Sequence, residues 1–336
     1  MEIVMGGWLN MKRYLYVIML FAFICVSIVF QNKYFHKQKA LILETEQTPF
    51  TVLTSSDDTK VSLSNREITE PDQAVNGQPV QRSLIYSTGI TLEERFNTPS
   101  GYQRLDKPVG SLQGYLRKYE LKPDKSPVLL YDGGKKRNQE AHAAVFSMPL
   151  VKGDLQQCAD SVMRMYGEYL WSAGAYDSIA FHLTNGFLMD YSSWKDGKRL
   201  NVEGNKVSWE KREAFDDSNE SFLTYLRQVM IYAGTISLEK ECSSVELNRI
   251  LSGDLLIRGG SPGHCVMVVD VAEDALGNRC FLLAQGYMPA QEFQVLKNPL
   301  HKDDPWYYVS EIKDSINTPE FEFNVGNLKR WKAFIQ

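Results

Sequence analysis

The sequence has no His-Glu-x-x-His run, no paired Cys-x-x-Cys and no glycine loop opening a helix, so the usual zinc and phosphate-cradle signatures are missing. It also lacks a charge bias. Thirty-seven Lys and Arg stand against 41 Asp and Glu, a net charge of -4, and the cations are spread along the chain, which leaves no electrostatic reason to propose nucleic acid as a partner. No internal repeat is visible, and Gly259-Gly260 lies between expected strands rather than before a helix. Neither a cofactor nor a metal is expected: a site built from His142, His182 and His264 finds no supporting spacing. What is present is a hydrophobic fraction of 43% over 336 residues, enough for a real core in one large domain or two small ones.

One long apolar run occurs, from Tyr14 to Phe30, directly after Lys12 and Arg13. At about 1.5 Å per residue it just reaches across a bilayer core. Ile24 stands before Cys25 where a lipoprotein signal wants a small residue, and no small-x-small cleavage pattern follows, so an uncleaved anchor is expected. Met11 opens a short basic segment of the usual shape, and Lys33, Lys37 and Lys39 beyond the span weaken the charge rule for orientation. The expected layout is a short cytoplasmic segment at 1–13, a transmembrane anchor or signal at 14–31, a disordered stalk at 32–85 and a single globular domain at 86–336. The stalk follows from its Thr, Ser, Glu, Asp and Gln content and from Pro49, Pro71 and Pro79, which break any period. This places the protein in the inner membrane by one N-terminal helix, its domain in the periplasm or outside the cell.

Within the domain, Leu112, Tyr115, Leu116 and Tyr119 recur at helical spacing behind Ser111, a fitting N-cap. "SPVLLYDG" and "AHAAVFSMPL" read as strands. In "DLQQCADSVMRMYGEYLWSAG" the spacing predicts a helix capped by Asp154, with Gln157 at the third position, an apolar face of Leu155, Val162, Met165, Tyr166, Tyr169 and Leu170, and a stop at Gly174. "SIAFHLTNGFLMDYSSW" reads as a hairpin turning at Asn185-Gly186, with His182 as a surface strand position. A further helix starts near Ser218 and ends at Gly234.

Cys158 thus falls in a first helical turn, where free amide hydrogens and the helix dipole favour a thiolate and support a developing oxyanion. His264 opens an apolar strand in "GGSPGHCVMVVD". If that strand and "CFLLAQGY" form a hairpin centred near Ala275, His264 lies opposite Tyr287 and diagonal to Gln285, able to orient its ring. Cys265 then points the other way and Cys280 pairs near Val271, so these two cysteines are not expected to bridge. The four cysteines outside the apolar run remain free to pair otherwise in an oxidising compartment, which would remove Cys158 as a nucleophile.

The spans "NQEAHAAV", "DLQQCADSVMR", "GGSPGHCVMVVD" and "LLAQGYMPAQEFQVLKNP" resemble an uncharacterised bacterial family, domain of unknown function 4846, known from exported Bacteroidetes proteins. The resemblance runs from about Arg95 to the C-terminus and implies an envelope location without supplying an activity. The order Cys158, Gly253-Asp254, His264, Gln285 is similar to that of papain-like cell-wall endopeptidases of the NlpC type, although Gln157-Cys158-Ala159 stands where those enzymes have Asp-Cys-Ser.

These readings predict an α+β domain, an antiparallel sheet packed against helices in a papain-like arrangement, preceded by one transmembrane helix. The expected function is thiol-dependent hydrolysis of an envelope amide bond related to peptidoglycan. In it Cys158 attacks, His264 takes the proton, Gln285 orients the ring, and Gln139, His142, Gln157 and Tyr287 contribute to substrate binding or the oxyanion site. The alternative is a non-catalytic envelope module that binds a glycan or peptide. Geometry separates the two, because catalysis requires the Cys158 sulfur and a His264 nitrogen within hydrogen-bond reach.

Overall fold

The computed structural model describes residues 83–334, inside a unit spanning Ala74–Gln336. The expected anchor at 14–31 and nearly all of the expected stalk lie outside the described residues. Among the described residues no helix is long and apolar enough to cross a membrane. The chain runs through α1 (Leu92–Arg95), β1 (Tyr102–Arg104), α2 (Leu112–Lys118), β2 (His142–Val145), α3 (Cys158–Ser172), β3 (Ala180–His182), β4 (Leu188–Asp190), α4 (Tyr191–Lys195), β5 (Lys198–Glu203) and β6 (Lys206–Lys211). It continues with α5 (Asn219–Tyr232), α6 (Thr235–Lys240), β7 (Cys242–Ser244), β8 (Leu255–Arg258), β9 (His264–Asp274), β10 (Arg279–Gln285), β11 (Gln294–Leu296), β12 (Tyr307–Tyr308), β13 (Ser315–Asn317), β14 (Glu322–Asn324) and β15 (Leu328–Trp331).

The architecture is α+β. A nine-stranded sheet runs β2-β11-β10-β9-β8-β15-β7, with β1 added to β9 and β12 to β10, and its pairings are antiparallel. The central strand β9 is buried on both faces, which is why its sequence is a nearly continuous apolar run. On one face Cys265, Met267 and Val269 join the core built on α3 and α5. On the other, Val266 and Val268 pack with Ile316 and Phe323 of the β13–β14 hairpin in a second cluster. Each fully buried Val, Leu or Phe of these layers contributes roughly 1.5–3 kcal/mol.

Asp270 fixes how the front of the domain meets the sheet. It is fully buried and accepts from Arg104 Nε at 2.6 Å and Arg117 Nε at 2.7 Å, so one carboxylate holds both β1 and α2 to β9. The register shifts beside it, leaving Val269 unmatched between Asp270↔Leu282 and Val268↔Leu283.

Ser111 and Ser218 cap their helices by accepting from Gly114 N and Ser221 N, and the β3–β4 hairpin turns with Gly186 at φ 89°. Two expectations need correction. "SPVLLYDG" forms only isolated bridges at Leu129 and Leu130, because Gln139 and Glu292 side chains take the Val128 and Leu129 amides that a ladder would use. Cys280 pairs with Ala272, next to Val271, as expected. The long helix begins at Cys158, not after Asp154: Gln157 is the N-cap and its amide donates to Asp160 Oδ2 at 3.0 Å, while Asp154 Oδ1 accepts from Ala290 N at 2.6 Å and ties the helix entry to the loop after β10.

Candidate functional site

Cys158 is the first residue of α3 and its helix start abuts the ends of β9 and β10. The amides of Ala159 and Cys265 point at the thiol, and a side chain at Gly286 would strike Gln157 O at 2.8 Å and Ser161 Oγ at 2.5 Å, so glycine is what lets the helix come this close. Burial nevertheless dominates. It pushes the Cys158 thiol up to about 11, with the Asp160 carboxyl adding to the rise and the nearby amides opposing it. Asp160 is itself pushed up to about 8 by burial, and its Oδ1 and the Ser161 hydroxyl are buried with no hydrogen-bond partner among the described residues. All four described cysteines are free thiols.

His264 lies on the opposite face of β9 from Cys265, in line with strand alternation. Its Nε2–H donates to Gln285 Oε1 at 2.7 Å; Gln285 Nε2 donates to Glu320 Oε2 at 2.8 Å; and Lys136 Nζ donates to the same oxygen at 2.5 Å. The ring is walled by Tyr287 edge-on at 4.8 Å, Phe321 at 5.1 Å and Phe323 at 5.9 Å. His264 is 1% exposed and Gln285 wholly buried. Burial holds the imidazole neutral, its pKa lowered to about 4 although Gln285 and Glu320 favour the proton.

The structure therefore joins His264, Gln285 and Tyr287 at one end of the sheet and sets Cys158 against the backbone of the same strand, with its side chain in the other layer. Among the described residues no hydrogen bond links the Cys158 thiol to either His264 nitrogen. Gln139 is spent on the loop it belongs to, bonding Val128 N, Val128 O and Lys136 O. His142 Nε2 bonds Ser126 O at 3.1 Å and is held toward the neutral form by burial. The Gln157 side-chain amide donates to Asp154 Oδ1 at 3.1 Å. The Gly259–Gly263 loop packs on α6: Gly259 N donates to Glu239 Oε2 at 3.0 Å, and a side chain at Gly263 would meet Thr235 Oγ1 at 2.7 Å.

A second place was not legible as a site in the sequence. His182, at the end of β3, donates its Nδ1–H to Glu241 Oε1 at 3.0 Å, and its amide bonds the same oxygen. Glu241 Oε2 accepts from Trp331 Nε1 at 2.7 Å, and the Trp331 ring is stacked with Phe181 at 5.2 Å and Tyr166 at 4.8 Å. The carboxylate thus fixes the imidazole through Nδ1, and among the described residues Nε2 has no hydrogen bond, on a side chain that is 47% exposed. His182 opens onto a cleft of about 450 Å³ whose walls include Ala180, Leu183, Leu188, Trp331, Lys240 and Lys332. His182 and Glu241 are far apart in sequence and come from different elements, so no motif announces their pairing.

A model of the family described as Domain of unknown function (4846) matches residues 92–330, from the first residue of α1 into β15. No curated protein and no solved structure matches the chain. The chain belongs to that family, and the match covers the His264 end of the sheet and the His182–Glu241 pair, while Trp331, Lys332 and Ala333 of the cleft lie beyond it.

Proposed function

We propose that this member of the family is a membrane-anchored cell-envelope module that binds a peptide or glycan without cleaving it, and that the His182–Glu241 cleft is where it binds. The observation that carries this reading is the cleft itself: about 450 Å³ of open space, with an oriented, exposed imidazole and mainly apolar walls. The anchor, the outward-facing domain and the envelope setting rest on the apolar run at Tyr14 to Phe30 and its basic flank.

Thiol-dependent amide hydrolysis is the second reading, in a papain-like frame. It is favoured by Cys158 at the start of a helix packed on an antiparallel sheet, and by the His264–Gln285 hydrogen bond at 2.7 Å. It ranks second because a nucleophile must ionise and meet its base. Here burial raises the thiol pKa to about 11, and the imidazole lies in the other layer, pre-bonded to Gln285.

The test is sedimentation of the full chain with purified peptidoglycan sacculi, with soluble fragments assayed in the supernatant. The wild type and Cys158→Ala are expected to sediment equally and release nothing, whereas His182→Ala sediments less. Fragments released by the wild type and not by Cys158→Ala would replace binding with hydrolysis.

A further inference from the structure

We infer that the cleft takes the carboxyl terminus of a peptide, with Lys240 and Lys332 receiving the carboxylate and His182 Nε2 accepting the last amide N–H. This rests on the binding role proposed above and names the ligand class for that site.

The charge of the cleft points to an anion. Its one lining carboxylate, Glu241, is already engaged by the His182 amide, the His182 ring and the Trp331 indole, so its charge is satisfied inward. The lining cations are the exposed Lys240 and Lys332. Lys332 Nζ spends one proton on Lys240 O at 3.1 Å, at the C-terminal end of α6, which steadies it and leaves its other N–H groups for a ligand.

A bare inorganic anion would use the lysines and nothing else. The remaining walls ask for more. Ala180, Leu183, Leu188 and Ala333 offer apolar surface suited to a small side chain. In the neutral imidazole of His182, donating Nδ1–H to Glu241 leaves Nε2 as an acceptor. Cations for an anionic group, an acceptor for an N–H donor and apolar surface for a short side chain line one cleft, and together they describe a peptide terminus. A neutral sugar supplies hydroxyls but no charge for the lysines.

The test titrates the full chain, by isothermal calorimetry, with three probes: an N-acetylated tri-alanine peptide with a free carboxylate, the same peptide as its C-terminal amide, and neutral chitotriose. The free-carboxylate peptide is expected to bind about tenfold or more tightly than the amide, the scale of a charge-assisted contact. That preference should fall toward unity in the double variant Lys240→Gln, Lys332→Gln. Equal binding of both peptides, or binding of chitotriose alone, would overturn the carboxyl-terminus inference while leaving a binding module in place. No binding of any probe at millimolar concentration would overturn both. The peptide-against-amide comparison is made in the wild type, so its outcome does not depend on how the variant folds.

Discussion

The two histidines at strand ends, His264 on β9 and His182 on β3, have opposite surroundings. His264 is 1% exposed, bonded through Gln285 to the Glu320–Lys136 ion pair and walled by three aromatic rings. His182 is 47% exposed, held by one carboxylate, and faces open volume. Both are oriented by a hydrogen bond, but only the second can meet a solute without rearrangement. An oriented ring is therefore not enough to mark a reactive site; access decides.

The contrast is most exposed to disproof at Glu320. Removing its carboxylate in Glu320→Ala leaves the 5%-exposed Lys136 ammonium and the Gln285 amide without their partner. We expect a loss of about 3–5 kcal/mol in urea unfolding, the usual scale for half of a buried pair. Replacing both partners, Lys136→Met with Glu320→Leu, should cost much less. If Glu320→Ala were as stable as the wild type, the sealed description of this end would fail.

The pH dependence comes next. The folded protein keeps His264 neutral down to about pH 4, whereas the unfolded chain takes up that proton near pH 6.5. Between these values the unfolded state binds more protons, so stability is fully present above about 6.5 and is lost as pH falls toward 4, about 3 kcal/mol in all. Asp160 tilts the other way, since burial pushes its carboxyl up to about 8 and makes the folded state prefer the proton. Unfolding should therefore be measured as the difference between wild type and His264→Phe, where Asp160 is common to both. That difference is expected to shift against the wild type as pH drops from 7 to 4; a flat difference would mean His264 is not held neutral.

The smallest stability effect belongs to the cleft. His182→Ala removes a half-exposed side chain and should change unfolding by no more than about 0.5 kcal/mol, while lowering affinity for the carboxylate peptide. A large destabilisation instead would make the His182–Glu241 pair a structural clasp.

The legible part of the fold was whatever local periodicity encodes. The Ser111 and Ser218 caps, the Asn185-Gly186 turn and the β9–β10 hairpin all carry their signals within a few residues, and the hairpin register reaches far enough to bring Gln285 to His264. Asp154 misled because an Asp before a helical run is a good cap by composition; here a tertiary partner, the Ala290 amide, claims its carboxylate. The facing direction of Cys158 depends on which layer its helix joins, and that is set by long-range packing. Glu320 reaches the Gln285 that holds His264, and Glu241 reaches His182, from remote segments, so neither the sealed network nor the cleft left a local trace.

The most direct measurement is the rate at which iodoacetamide labels Cys158 in the native full chain as a function of pH, read residue by residue by mass spectrometry. We expect Cys158 to stay unlabelled below about pH 9 except through unfolding, because its thiol is buried and its pKa is raised to about 11. Rapid native labelling with a midpoint below about 8, abolished in His264→Asn, would contradict a sealed thiol and make Cys158 and His264 a catalytic pair.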